Sequence, residues 1–220
     1  MLGLINLSIK AFVVDTFGES LWESILSQTS INTTNWISSC PYDDKETTDI
    51  VSIAASTLGI STEKVYEAYG EFFIIKSLQG QGYKKLLLCV GSNFVEFLRN
   101  LNAFHLHLYL GFEDKHSVSS ADGTRLKMIP PAFRCEEVTP ESVELHYYSV
   151  RPGLWPLVIG LLRGVARTYF ALEPTVELLR SRHDGSCDHE VFLVRFPRQE
   201  PAEAPSERAA PAGPAGPGPA

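Results

Sequence analysis

Apolar residues recur three and four positions apart through the first half of this chain and group into short runs in the second half. Residues 2–16 and 19–28 carry the helical spacing and predict two amphipathic helices parted at Gly18. Residues 29–46 are polar and irregular around Pro41. Helical spacing resumes over 47–58 and 62–78, the latter opened by Ser61-Thr62-Glu63 as a cap, and Gly80-Gln81-Gly82 predicts a turn. The next helix spans 92–110: Ser92 and Asn93 favour a helix start, and no Gly or Pro follows until Gly111. Segments 131–136, 143–150, 174–182 and 188–196 read as strands, and 154–171 as an apolar helix with Pro156 in its first turn. The pattern predicts an α+β chain, an N-terminal helical subdomain plus helices packed on a four-stranded antiparallel sheet.

Two polar features interrupt this pattern. Stepping back from His105 by three or four gives Leu101, Phe97 or Leu98, and Phe94, with Leu108 ahead, so His105 sits in an apolar stripe. His107 points elsewhere. A histidine so placed is either a hydrogen-bonded core residue or a neutral nitrogen ligand. Downstream, His146-Tyr147-Tyr148-Ser149-Val150-Arg151 places Tyr147, Ser149 and Arg151 in phase on one predicted strand, with Tyr148 facing away. The guanidinium fork and two hydroxyls match a carboxylate; an ordinary polar sheet face is the alternative. A planar iron porphyrin with two carboxylate tails needs both features, an axial ligand and an anion clamp.

Composition narrows the choice. A chain of 220 residues, 44% hydrophobic, buries a sizeable core as one domain. Net charge of −7 argues against nucleic acid. Cys40, Cys89, Cys135 and Cys187 stand singly, which fits a reducing cytoplasm and neither a zinc cluster nor a disulfide framework. No segment reads as a secretory leader or a membrane span. From 197 to 220 Pro, Ala, Gly and Glu dominate, and the segment is expected to be a disordered tail or linker. No Gly-x-Ser-x-Gly, P-loop or paired metal-binding carboxylates suggest an enzyme; Asp43 and Asp44 are adjacent and read as a solvated turn.

From Met1 to about Phe196 the chain resembles the H-NOX family, heme nitric oxide/oxygen binding domains, and especially the sensor domain of the soluble guanylate cyclase β subunit. The likeness rests on Gly3-Leu4-Ile5-Asn6, Tyr42-Asp43-Asp44, Gly91-Ser92-Asn93, Leu101-x-Ala103-x-His105, Pro131-x-Phe133-Arg134-Cys135, His146-Tyr147-Tyr148-Ser149-x-Arg151 and Val158-Ile159-Gly160, all in one order. It implies a heme b (iron protoporphyrin IX) cofactor with His105 on the iron. Tyr147, Ser149 and Arg151 would hold the propionates, and Pro131 would pack against the ring. The segment between His105 and Pro131 is longer than the family pattern, which places a solvent-exposed insertion at about 113–127.

The resemblance also orients the ligand question. Members that retain oxygen place a tyrosine where this chain has Leu157, and Ile5, Ile9 and Phe73 match other distal positions. None of the four donates a hydrogen bond, so the pocket resembles the nitric oxide selective branch, with carbon monoxide also bound. Tyr66 or Tyr69 could still reach inward. Nitric oxide weakens the bond trans to itself, so breakage of the Fe–His105 bond would carry the signal to a guanylate cyclase or other signalling domain, in cis or in trans. An oxygen-binding sensor and a heme-free interaction module are the alternatives.

Overall fold

Gly18 divides the first helical stretch because its φ of 93° lies in the left-handed region that favours glycine. In the computed structural model, which describes residues 1–31, 34–78, 83–113, 129–185 and 187–198, α1 (Gly3–Phe17) ends at that glycine and α2 (Glu19–Ser27) begins after it. Next comes α3 (Asp44–Leu58), a turn earlier than the apolar pattern suggests. Asp43 explains the difference: its carboxylate accepts from the Lys45 backbone N–H at 2.8 Å and caps the helix. Asp43 and Asp44 are therefore a cap and a first-turn residue, not a free solvated turn.

The expected 62–78 helix is regular only as α4 (Thr62–Phe72); Phe73–Ser77 forms a wider π turn. The short α5 (Tyr83–Leu88) gave no periodic signal. In α6 (Phe94–Glu113), Asn93 Oδ1 accepts from the Glu96 N–H at 2.9 Å, while Glu96 accepts from the Ser92 N–H at 3.0 Å and its hydroxyl at 2.6 Å. This reciprocal capping fixes the helix start. The helix runs past Gly111, which the sequence reading took as its limit. The Gly80-Gln81-Gly82 turn, the insertion beyond Glu113 and the tail beyond Arg198 lie outside the described residues.

Strands β1 (Ala132–Glu136), β2 (Ser142–Tyr148), β3 (Thr175–Arg180) and β4 (Glu190–Arg195) form one antiparallel sheet in the order β1-β2-β4-β3, with α7 (Trp155–Phe170) between β2 and β3. The expected four strands are thus present, though β2 ends at Tyr148. Two apolar cores result. One seats the α6 stripe (Phe94, Phe97, Leu98 and Leu101, all buried) with α7 and the inner sheet face. Each such side chain contributes roughly 1.5–3 kcal/mol by leaving water. The other packs α1–α4 around Ile9, Trp22, Ile50 and Tyr69. Phe73 packs against both.

Helices α4 and α7 cross in near backbone contact. A Cβ at Gly70 would lie 2.6 Å from the Leu157 carbonyl oxygen, and one at Gly160 would strike the Glu67 carbonyl oxygen. Glycine at both positions permits the approach.

Candidate functional site

On α6 the His105 ring places Nδ1 2.8 Å from the Leu101 carbonyl oxygen one turn back. A carbonyl only accepts, so this bond requires the proton on Nδ1. His105 is held below the usual histidine range, because burial disfavours its cation more than the Leu101 carbonyl favours it. Neutral and protonated on Nδ1, the imidazole has its lone pair on Nε2. Phe104 meets the ring edge-on at 5.8 Å, and Phe133 of β1 lies against it at 5.2 Å. Phe133 in turn packs on Tyr147 at 5.3 Å. One aromatic residue thus joins the two features read separately in the sequence.

Tyr147, Ser149 and Arg151 do come together, by a different route from the expected strand alternation. Tyr147 lies on β2 and is buried, whereas Ser149 and Arg151 follow the strand in a bend. The Arg151 backbone N–H donates to Ser149 Oγ at 3.1 Å, and Ser149 is close enough to the Tyr147 hydroxyl to favour its ionised form slightly. Burial raises the Tyr147 phenol above its ordinary value, so it stays protonated. Tyr148 stacks on His189 at 4.2 Å, on the opposite face as expected.

Arg151 has partners that sequence could not reveal. Its Nε donates to Asp44 Oδ2 at 2.7 Å, and its Nη1 to the Ile129 carbonyl at 2.8 Å. Asp44 also takes the Met1 ammonium. Burial alone would raise the Asp44 carboxyl; the ammonium and Arg151 outweigh it and hold it below its ordinary range. Guanidinium has five N–H donors, so donors beyond these two bonds remain for an anion. Pro131 lies between Ile129, which holds Arg151, and Phe133, which packs on His105.

The bend itself is fixed by Arg182. Its Nη1 donates to the Ser149 carbonyl at 2.7 Å, its Nη2 to the Arg151 carbonyl at 3.0 Å, and its Nε to Glu190 Oε1 at 2.8 Å. Glu190 opens β4 opposite Tyr147 and is fully buried. Asp44, Arg182 and Glu190 are the functional-site residues that sequence reasoning missed. Asp44 lies 107 positions from Arg151, and Arg182 lies 33 and 31 positions from the carbonyls it holds; Glu190 is 8 positions from Arg182, but no local motif marks the pair.

The predicted distal residues gather in the other core. Ile9 is buried there, and Ile5, Phe73 and Leu157 pack against it. Tyr69 is among them, but its hydroxyl is 2.6 Å from Ser8 Oγ and 3.3 Å from the Ile5 carbonyl oxygen, with Ser8 Oγ donating to that carbonyl at 2.9 Å. This closed network uses the Tyr69 proton. Burial pushes the Tyr66 phenol up to about 12.

The donor set fits a heme: one bare imidazole nitrogen among aromatic rings, and a guanidinium with two hydroxyls beyond Phe133. Comparison with known proteins agrees. The family model described as Haem-NO-binding matches residues 2–178. A soluble guanylate cyclase of Caenorhabditis elegans, gcy-37, is 34% identical over 199 residues, covering 88% of this chain and 26% of the relative. The guanylate cyclase soluble subunit beta-2 of Rattus norvegicus is 32% identical over 136 residues, 60% of this chain and 18% of that one. The chain thus spans about a quarter or less of these relatives. Among solved structures, an H-NOX protein from S. oneidensis in the Fe(II) ligation state superposes with a TM-score of 0.74 at 21% identity, covering 91% of this chain and 98% of that one. An H-NOX protein from S. oneidensis in the Fe(II)NO ligation state gives a TM-score of 0.72 at 21% identity, covering 90% and 100%.

Proposed function

Since the chain belongs to the Haem-NO-binding (H-NOX) family, whose domains bind heme, we propose that it is a b-type heme sensor of nitric oxide with His105 as the axial ligand. The observation that carries this reading is the Nδ1 bond of His105 to the Leu101 carbonyl, which puts the ring's lone pair on Nε2, beside the Phe104 and Phe133 rings. When bound, heme would supply an iron able to take the His105 imidazole and a diatomic gas. Arg151, with Tyr147 and Ser149, would hold the carboxylate tails, and Pro131 would pack against the ring. Ile5, Ile9, Phe73 and Leu157 wall the gas side, exclude water and donate no hydrogen bond. The Tyr69 hydroxyl, already engaged with Ser8 and the Ile5 carbonyl, supports the same ligand choice, because a site that retains oxygen needs a free hydrogen-bond donor.

His105 is the moving part of the switch. Among the described residues its contacts are the Leu101 carbonyl and the Phe104 and Phe133 rings, so α6 and β1 are the elements that would respond to a change at His105. That gives a two-state element biased by a ligand. The sensor domain spans 1–196, and 197–220 is a tail or a linker. The output is a guanylate cyclase or other signalling domain in cis or in trans, and the setting is the cytoplasm. Among the described residues no helix is long and apolar enough to cross a membrane.

An absorption spectrum of the reduced, heme-loaded protein tests the proposal. Nitric oxide and carbon monoxide should each shift the heme bands, and air should give no stable oxygen complex. A persistent ferrous-oxy spectrum in air, distinct from that of the oxidised protein, would refute the gas assignment in favour of oxygen, and a protein that takes up no heme would be an interaction module.

A further inference from the structure

The sheet face opposite Phe133 and Tyr147 carries a second polar cluster that the heme reading does not use. Glu136 of β1 and Glu144 of β2 are direct cross-strand partners, and His146 follows two residues on, on the same face. One ligand-capable atom from each lies within 4.8 Å of the others. Two carboxylates placed directly opposite repel, so this register is unfavourable unless positive charge sits between them. Exposed Arg134 and Arg180 each approach one carboxylate from outside, and both can swing away.

The histidine points to what else belongs there. His146 is 6% exposed. Its Nε2 is 3.1 Å from Glu144 Oε1 and 3.3 Å from Glu136 Oε2, yet neither oxygen lies where a ring N–H could reach it, and the atom is buried without a hydrogen bond. Its other nitrogen does have a partner. Nδ1 is 2.8 Å from His189 Nε2, and His189 Nδ1 is 2.7 Å from Asp188 Oδ1. A carboxylate accepts only, so neutral His189 carries its proton on Nδ1 and offers Nε2 as an acceptor. His146 therefore donates from Nδ1, and the lone pair on its Nε2 faces the two carboxylates. An imidazole oriented through its far nitrogen by a second group is the arrangement that supports metal-bound histidines. Stacking of His189 between His146, at 5.0 Å, and Tyr148, at 4.2 Å, fixes the rings.

We propose that Glu136, Glu144 and His146 bind one divalent transition-metal ion of the zinc(II) or manganese(II) class across the β1–β2 hairpin. One imidazole with two carboxylates suits such ions and leaves open coordination positions. The ion relieves the opposed charges and ties together the two strands whose other face carries Phe133 and Tyr147. The site stands independently of the heme assignment.

The test is calorimetric titration of zinc chloride into the heme-loaded chain after chelator treatment. The parent should bind one ion per chain and melt at a higher temperature with zinc. The variant carrying both Glu136→Gln and Glu144→Gln should bind at least tenfold more weakly, with an unchanged far-ultraviolet circular dichroism spectrum. If the double variant does not fold, each single glutamine variant must show that tenfold loss. No binding by the parent, or a loss of less than tenfold, overturns the site and assigns any zinc uptake to other side chains.

Discussion

Arg182→Ala isolates the support beneath the anion clamp. Truncation removes the cation beside Glu190, which is 0% exposed, and strips two carbonyls, those of Ser149 and Arg151, of their donors. Breaking a buried pair by removing one partner costs about 3–5 kcal/mol. Arg182 is 22% exposed, so water replaces some of its donors and the lower end applies, about 3 kcal/mol. At about 2–4 °C per kcal/mol for a chain of this size, the melting midpoint should fall by about 6–12 °C. Thermal melts followed by circular dichroism read this shift, and heme transfer to an acceptor protein reads the loosened bend as faster loss. The variant with both Arg182→Ala and Glu190→Gln buries no unpaired charge and should recover most of the stability. A single variant that melts within about 2 °C of the parent, or a double variant no better than the single, refutes the reasoning.

His105→Gly should abolish the axial bond while preserving the fold, and imidazole in the medium should restore a ligand; an unchanged ferrous spectrum contradicts the assignment. Asp44→Asn should lower the melting midpoint by about 2–4 °C at pH 7, because a pair with Asp44 42% exposed contributes nearer the surface value of up to about 1 kcal/mol. Asp44 titrates below its ordinary 3.8 in the folded chain, and a depressed acid stabilises above the unfolded value and loses that as pH falls through the folded one. The difference between parent and variant should therefore begin to shrink as pH falls below 3.8 and close once pH is below the lowered folded-state value, and a gap that does not shrink on acidification sinks the ion-pair account. Gly160→Ala gains up to about 1 kcal/mol of helix propensity but forces a methyl against the Glu67 carbonyl, a cost of about 1–3 kcal/mol or more. Urea denaturation should show net destabilisation, and a stabilised variant would mean that α4 and α7 separate freely.

Periodicity and capping chemistry wrote most of the architecture into the sequence. The Asn93–Glu96 box and the Phe94–Leu101 stripe fix α6, and His105 follows from its place on that stripe. What stayed hidden was set by distance along the chain. Asp44 reads locally as turn or helix start, and only the folded chain brings it to Arg151. Arg182 lies near a strand end with no motif of its own. The π turn at Phe73–Ser77 escaped because helical periodicity is nearly unchanged over five residues. Ser149 and Arg151 were rightly grouped with Tyr147 for a partly wrong reason: the bend after β2, held by Arg182, gathers them.

The glycine crossing of α4 and α7 makes the apolar wall around Leu157, proposed as the gas side, a fixed mould. The Leu157 carbonyl is the atom nearest to where a Gly70 side chain would begin, so the backbone at 157 cannot drift when its side chain changes. Size and polarity at that position are therefore transmitted undiluted to whatever occupies the space beside it. A lineage, or an experimenter, can retune ligand preference there one side chain at a time while the helices keep their separation. On the proposed reading, ligand choice is thereby set apart from His105 and α6, which would carry the response.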